Sequence, residues 1–546
     1  MATAHTDYDP THATKRRVKA QPPAQVDVAI IGAGLGGLMA GAKLSQEGMK
    51  VAVFDQHYVA GGCCTMFSRG GPRSRRNFDI GLHYIGDCQP DGAIPQMLQS
   101  LGIEDMVYEP LDPDGFDTLV FPDLEFRIPV GRAAYRQRLL DTFPEDKRGI
   151  DRYIRFLDEV ETMMGLMAAK PSRWQMAWTA VTQGRMVSRH MQSTLADVLD
   201  QCTQNPALRA VIAGQSGDYG LPPSQVSALL HAGLVNHYFS GAYYPRGGGQ
   251  VIADKLAQKI EAEGGSVHLR RGIESILVEG GRAVGVRTEM YKGQQFEVRA
   301  EQVISNADLP RTLTELMPQD QQTAVQSWPH AANDMKMAAA LFICCLNVKG
   351  DMRSRGMRNA NYWQFDGYDM EGFYAATDLR PRGCYITAAT LKDPHTPHHA
   401  PAGEDSVEVM TVLPGDPSLW GAEADQIDNW KYKKSATYQA HKERIQDDLI
   451  ARLDRLFPGS AANVSFAESA TPLSHGRYTR ATAGTGYGLA ATPDQFMGAR
   501  PGYSGPIPGL FLAGASTRAG HGVVGSMRSG EACARRVLKT RAMADA

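Results

Sequence analysis

The sequence predicts an α/β protein of two interleaved domains, one a parallel sheet wrapped by helices, the other a mixed sheet with helices. Three observations predict it. The apolar run Val28–Ile31 leads straight into a glycine turn, a helical stretch and a second apolar run that closes on Asp55. Strands that complete the same sheet return late in the chain, at VISNAD (303–308) and GLFLAG (509–514), so the first domain is gathered from distant segments. The 546 residues exceed what one hydrophobic core sustains.

The first block fixes the chemistry. Gly32, Gly34 and Gly37 supply G-x-G-x-x-G between strand and helix. The first allows a tight turn. The second lets a pyrophosphate approach the backbone, and the third lets the helix pack close on the strand. The helix N-terminus then offers free N–H groups and a positive dipole end to phosphate. Asp55 follows about twenty residues on, where a carboxylate accepts from ribose hydroxyls. This is a dinucleotide site. A second pair, Gly61 and Gly62, follows at once in AGGCCTMF, then FDIGLHYIG at 78–86, and this favours FAD. GLFLAGASTRAGHGVVGSMRSG, 509–530, reads as a strand, a glycine loop and a helix from near Gly525. A helix N-terminus there is a second place for a phosphate or a flavin edge.

The rest follows in order. Residues 1–25 are polar, with the basic run Lys15–Lys19 and no apolar segment, and read as a disordered tail. Residues 26–86, 241–310 and 500–546 are assigned to the cofactor domain. Residues 87–240 and 311–499 are assigned to the substrate domain. Within the latter, 132–213 is helical by pattern. Met163–Met191 carries six Met, two Trp and four basic residues with no acid. It suits a membrane-contacting helical segment as well as a packed helix pair with a wet basic face. GAYYPRGGG (241–249) is a turn before a helix over 250–263. The glycine pair Gly280–Gly281 marks a β-hairpin.

Composition excludes some classes. A net charge of -2 argues against a nucleic-acid partner. Eight cysteines without C-x-x-C argue against zinc, so no metal site is expected. No apolar run reaches eighteen residues, so no membrane span is expected. A reducing, cytoplasmic setting follows, with peripheral membrane contact as a second expectation.

AGGCCTMF, FDIGLHYIG, LVNHYFSGAYYPRGGG (234–249) and VISNADL together resemble the retinol saturase branch of the phytoene desaturase and carotenoid isomerase flavoproteins. The resemblance implies FAD, an amine oxidase-like two-domain fold with a Rossmann-type cofactor domain, and a lipophilic polyene or isoprenoid substrate. It puts Gly32, Gly34, Gly37, Asp55, Gly61 and Gly62 on FAD, with Gly36, Cys63 and Thr65 beside them. It puts the Ile273 backbone at the adenine. Gly514, Ala515, Gly522, Val523 and Val524 lie beside the flavin. The chain departs from the pattern in two places. GASTRAGHGVVGSM lacks an acid after Gly514, which resembles the desaturase and isomerase side, and GGPRSRR (70–76) adds three arginines.

Flavin carries hydride, and the protein supplies orientation and a dry site. Saturation needs a proton donor, desaturation a base or none, and isomerisation no net redox change. The candidate acids and bases are His83, Tyr84, Tyr243, Tyr244 and His521, with walls of an apolar channel the alternative role of Tyr243 and Tyr244. No second dinucleotide turn is present, so an electron donor or acceptor, NAD(P)H, quinone or oxygen, arrives by diffusion. The reading is an FAD-dependent oxidoreductase acting on a C=C or C–C bond, leaning to saturation of a retinol-like or carotenoid-like substrate. Carotenoid desaturation or cis–trans isomerisation is the alternative on the same scaffold. A non-catalytic prenyl or lipid binder, like the Rab escort and dissociation-inhibitor proteins, is the alternative of another class.

Overall fold

The computed structural model describes residues 16–71, 74–168, 174, 185–330, 335–375 and 377–544. The cofactor sheet has seven strands in the order β10-β11-β12-β1-β2-β9, with β18 also paired to β12. These are β1 (Gln25–Ile31), β2 (Val51–Asp55), β9 (Ser266–Leu269), β10 (Ile273–Glu279), β11 (Arg282–Thr288), β12 (Glu297–Ser305) and β18 (Leu510–Leu512). The centre is parallel: Ile30 lies opposite Val53 on one side and Ile304 on the other. That is why β1 is apolar and buried on both faces. β12 gives its second edge to two partners, antiparallel β11 at 297–299 and parallel β18 at 303–305. The β10–β11 hairpin turns at Gly280 and Gly281, both at positive φ as a tight hairpin demands.

Helix α1 (Leu35–Gln46) runs back from β1. It packs against α4 (Gln250–Ala262) and the C-terminal α7 (Gly522–Ala544). The α1–α7 crossing is tight because it is made of glycine: a Cβ on Gly530 would meet the Gly36 carbonyl oxygen at 2.2 Å. The last helix begins at Gly522 rather than near Gly525.

The second sheet also has seven strands, ordered β17-β13-β16-β15-β14-β6-β7. They are β6 (Asp117–Val120), β7 (Glu125–Ile128), β13 (Leu341–Lys349), β14 (Asn361–Phe365), β15 (Gly383–Thr387), β16 (Glu404–Val412) and β17 (Val464–Ala470). It is antiparallel except where β14 meets β6. Helix α5 (Ala436–Leu456) covers one face of this sheet. Two small ribbons tie the domains together: β3 (Met66–Arg69) with β4 (Arg76–Asp79), and β5 (Tyr108–Pro110) with β8 (Tyr243–Pro245). Helices α2 (Lys147–Ala168) and α3 (Ala228–Tyr238) pack against each other, and α6 (Pro472–Thr479) follows β17.

Two expectations change. Residues 16–25 are not a free tail: 16–19 are helical and Arg17 is buried. Its guanidinium donates to Glu261 at 2.8 Å and to buried Asp254 at 3.4 Å, which pins the segment onto α4. The expected membrane-contacting segment lies mostly outside the described residues. Its flanks are the end of α2 and a short helix, Arg185–His190. Trp174 and Met191 are exposed. Among the described residues no helix is long and apolar enough to cross a membrane.

Removing one partner of a buried ion pair leaves the other without compensation. Arg17→Ala should therefore destabilise the protein by about 2–4 kcal/mol in urea unfolding. A loosely held tail would give no measurable change.

Candidate functional site

Two cavities, about 640 and 680 Å³, meet between the domains. Each is within the usual size of a ligand pocket. Cys63, His475, Tyr487 and Ala515 line both, so the two cavities adjoin there.

The first cavity begins at the glycine turn. Gly32, Gly34, Asp55, Gly62, Thr65 and Ile273 line it. Gly32 sits at φ +95°. No side chain caps the start of α1 at Gly34, so its first N–H groups stay open to an anion. A Cβ on Gly62 would lie 3.1 Å from the Gly34 Cα, which shows how closely the two glycine segments approach. The Asp55 carboxylate accepts from the Ala33 and His57 backbone N–H groups at 2.7 and 2.8 Å. A carboxylate has about four acceptor positions, so two remain for hydroxyls. An open helix end, a side-chain-free cradle and a half-satisfied carboxylate in one elongated cavity fit a dinucleotide.

The second cavity receives Gly61, His83, Tyr84, His521, Gly522, Val523 and Val524. Its far wall is aromatic, with Tyr238, Trp363, Phe373 and Tyr385. Tyr84 stacks on Tyr238 at 4.7 Å, and Trp363 meets Tyr385 edge-on at 4.5 Å. His83 is buried. Its Nδ1 lies 3.2 Å from Glu408 Oε2, and its Nε2 has no protein partner. The ring of His521 lies edge-on to Tyr487 at 5.7 Å. Burial pushes His521 down to about 3, so its imidazole is neutral at physiological pH. It therefore has no readily lost imidazolium proton to give.

Several sequence expectations are corrected. Tyr244 lies on neither cavity. Residues alternate faces along a strand, so β8 turns Tyr244 inward when Tyr243 faces out. The Tyr244 hydroxyl donates to Asp79, and the Lys392 ammonium sits 4.5 Å over its ring. Tyr243 does not wall either cavity. Gly36, Gly37 and Gly514 lie behind the wall and serve close packing. A Cβ on Gly37 would meet the Gly32 carbonyl oxygen at 2.2 Å, and one on Gly36 would lie 2.5 Å from Asn306 Oδ1. Cys64 is buried and Cys63 half-buried, and desolvation pushes the Cys63 thiol up to about 11, so it is a thiol and no ready nucleophile.

Sequence reasoning missed three sets of residues. Asn306 donates from Nδ2 to the Gly32 carbonyl at 3.2 Å and lines the first cavity. Its place in VISNAD, right after a strand of the same sheet, was the available signal. Asp117 and Asp218 flank the Tyr84 hydroxyl. Glu408, Asp79 and Lys392 form a buried charged layer behind His83. Asp79 N–H donates to Glu408 at 2.9 Å, and Lys392 donates to the His83 carbonyl. Burial, with Glu408 beside it, raises the Asp79 carboxyl, and burial lowers the Lys392 ammonium to about 8.

Two outcomes are expected. Gly34→Ala brings a methyl to the cavity wall, 3.0 Å from Asn306 Nδ2. Purified protein should then show a flavin-to-protein absorbance ratio at least several-fold below wild type. The ¹⁵N shifts of His521, assigned through His521→Gln, should not titrate between pH 8 and pH 5. A folded pKa lowered to about 3 leaves the ring neutral throughout that window.

The comparisons agree with this geometry. The family model described as flavin containing amine oxidoreductase matches residues 35–538. An all-trans-retinol 13,14-reductase of Danio rerio is 28% identical over 521 residues, covering 90% of this chain and 82% of the relative. A chloroplastic prolycopene isomerase of Daucus carota is 24% identical over 537 residues, covering 94% and 80%. An oxidoreductase structure from Methanosarcina mazei superposes with a TM-score of 0.59 at 17% identity, covering 94% of this chain and all of that one, and shares the fold. The cofactor is FAD, and the chain belongs to the flavin-containing amine oxidoreductase family.

Proposed function

We propose that this chain saturates a carbon–carbon double bond of a lipophilic polyene, of the retinol or carotenoid class, with FAD as the hydride carrier. The observation that carries the reading is the second cavity. It is walled by aromatic side chains and adjoins the dinucleotide cavity at Cys63, Tyr487 and Ala515. A long apolar molecule there gains from burial of its whole length, at about 25 cal/mol per Å². Its similarity to a retinol 13,14-reductase supports the same class of substrate.

Gly32, Gly34, Asp55 and Gly62 would hold the nucleotide end of FAD. Cys63, Ala515 and the Gly522–Val524 turn would hold the flavin end. Bound FAD supplies a hydride, or takes one, as a two-electron step. The chain does the rest. Tyr238, Trp363 and Tyr385 exclude water and orient the polyene. His83 and Tyr84, on one short segment after β4, face the cavity with polar groups and mark the wall from which a proton moves. Similarity to a prolycopene isomerase supports a second reading, isomerisation without net redox change.

A membrane-borne substrate has a natural entry. Met164 and Gly165, at the end of α2, line the second cavity, and Met164 is half exposed. We place peripheral lipid contact there, beside exposed Trp174. Flotation with anionic vesicles should weaken on Trp174→Ala, and unchanged flotation would refute the contact.

The test of function is anaerobic. The flavin of the purified protein is reduced with dithionite or left oxidised, and each form is incubated with all-trans-retinol and with lycopene. The expected product gains two hydrogens and forms only with reduced flavin. A product with two fewer, from oxidised flavin only, assigns desaturation. Unchanged mass with a new isomer pattern assigns isomerisation. No product with either polyene refutes the substrate class.

A further inference from the structure

The Tyr84 hydroxyl lies between two carboxyl groups, 2.9 Å from Asp117 Oδ2 and 2.5 Å from Asp218 Oδ2. Counting protons decides the state of this trio. Two contacts of hydrogen-bond length join three oxygens, and each contact needs a proton. The phenol has one. Two oxygens 2.5 Å apart with no proton between them repel, so one of the carboxyls is protonated.

The surroundings say which. Asn361 Nδ2 donates to Asp117 Oδ1 at 3.0 Å, and Gln215 Nε2 donates to Oδ2 at 2.7 Å. The sense of the Asn361 bond is fixed at a distance. Lys392 Nζ can only donate, and it reaches Thr387 Oγ1 at 2.7 Å. The Thr387 hydroxyl must then donate onward to Asn361 Oδ1, at 2.8 Å, which turns the Asn361 amide toward Asp117. Asp117 is thus ringed by donors, as an ionised carboxylate requires. Among the described residues, Asp218 has the Tyr84 hydroxyl as its side-chain partner and no such ring.

We propose that Asp218 is a neutral carboxylic acid at physiological pH, and that it stores the proton which Tyr84 delivers into the second cavity. Both residues line that cavity. The electrostatics agree. Burial raises Asp218 well above the carboxylate range, and the Asp117 charge raises it further. Burial lifts Asp117 only to about 6, because its donors favour the charged form. The other groups near Asp218 bring no cation. Tyr219, Tyr238, Tyr374, Tyr385 and Tyr487 are phenols that burial keeps neutral. His521, whose ring lies against the Asp218 backbone carbonyl, is neutral above about 3.

The proposal rests on the saturase reading above. Saturating one C=C adds a hydride to one carbon and a proton to the other. The hydride would come from bound FAD. The proton leaves the Tyr84 oxygen as the Asp218 proton moves onto it, the π bond becomes two C–H bonds, and Asp218 is left as a carboxylate. Water reprotonates it between turnovers. Tyr84 is the donor that meets substrate, and Asp218 acts through it.

The test compares FAD-loaded wild type, Asp218→Asn, Asp218→Glu and Asp117→Asn. Infrared spectra at pH 8 should show a protonated-carboxyl C=O band in wild type that Asp218→Asn removes and Asp117→Asn keeps. Asp218→Asn exchanges one neutral group for another and should leave Tm within about 2 °C. Asp117→Asn points an amide at two N–H donors and should lower Tm by roughly 3–8 °C. With dithionite-reduced flavin and all-trans-retinol, Asp218→Asn should lower kcat by about 10²–10⁴-fold at unchanged KM, and Asp218→Glu should recover part of it. Absence of the band, or full kcat in Asp218→Asn, overturns the proposal. A wild type whose band is removed by Asp218→Asn but which turns over no polyene overturns the saturase reading and upholds the protonated Asp218.

Discussion

The site depends on one close approach of three backbones: the Gly32–Gly37 turn, Asn306 after β12, and the Gly514 loop after β18. Asn306 holds them. Its backbone N–H donates to the Ile31 carbonyl at 2.8 Å and its side chain to the Gly32 carbonyl at 3.2 Å. A Cβ on Gly36 or Gly514 would come within 2.6 Å of Asn306 Oδ1. Close-packed interiors do not absorb such an overlap cheaply. Because no side chain intervenes, β1, β12 and β18 end at the same place. α1 and α7 can then start beside one another, with the cavity between their first turns.

A second constraint joins the domains. Asp79 and His83 belong to the cofactor half of the chain, and Glu408 to β16 of the other sheet. Glu408 accepts from the Asp79 backbone N–H with one oxygen and faces His83 with the other. Lys392 completes the layer by donating to the His83 carbonyl and to Thr387. Buried charges of this kind are costly unless each is paired, so the layer specifies one seating of FDIGLHYIG against the substrate sheet. That seating sets His83 and Tyr84 on the cavity wall. Interleaving is what makes it work: each domain supplies groups that the other must satisfy.

Local signals were legible in the sequence and long-range ones were not. The glycine turn, Asp55, the Gly61–Gly62 pair and the Gly280–Gly281 hairpin are short patterns whose geometry is set within a few residues. The family resemblance added Ile273 and the Gly522–Val524 turn, and all of these line the two cavities except the hairpin. Asp117, Asp218, Asn361 and Lys392 come from four separated segments, and each alone looks like an ordinary polar residue. The parallel meeting of β6 with β14 sets Asn361 on Asp117, the turn before Tyr219 brings Asp218 to the same Tyr84 hydroxyl, and Lys392 reaches the group through Thr387. Tyr244 shows the converse failure. Its neighbour Tyr243 has the same chemistry, and composition cannot say which one a three-residue strand turns inward. The basic run near the N-terminus looked solvated because its partners, Asp254 and Glu261, lie on a helix more than 230 residues away.

The central claim is that the two cavities are one site, with FAD in the first reaching the mouth of the second. The structure of the FAD-loaded protein tests it directly. The account predicts the pyrophosphate against the uncapped start of α1 at Gly34. It predicts the flavin ring at Cys63, Tyr487 and Ala515, with one face open toward Tyr84 and Asp218. A flavin ring seated away from that junction, or one that closes the second cavity off from the cofactor, would contradict it.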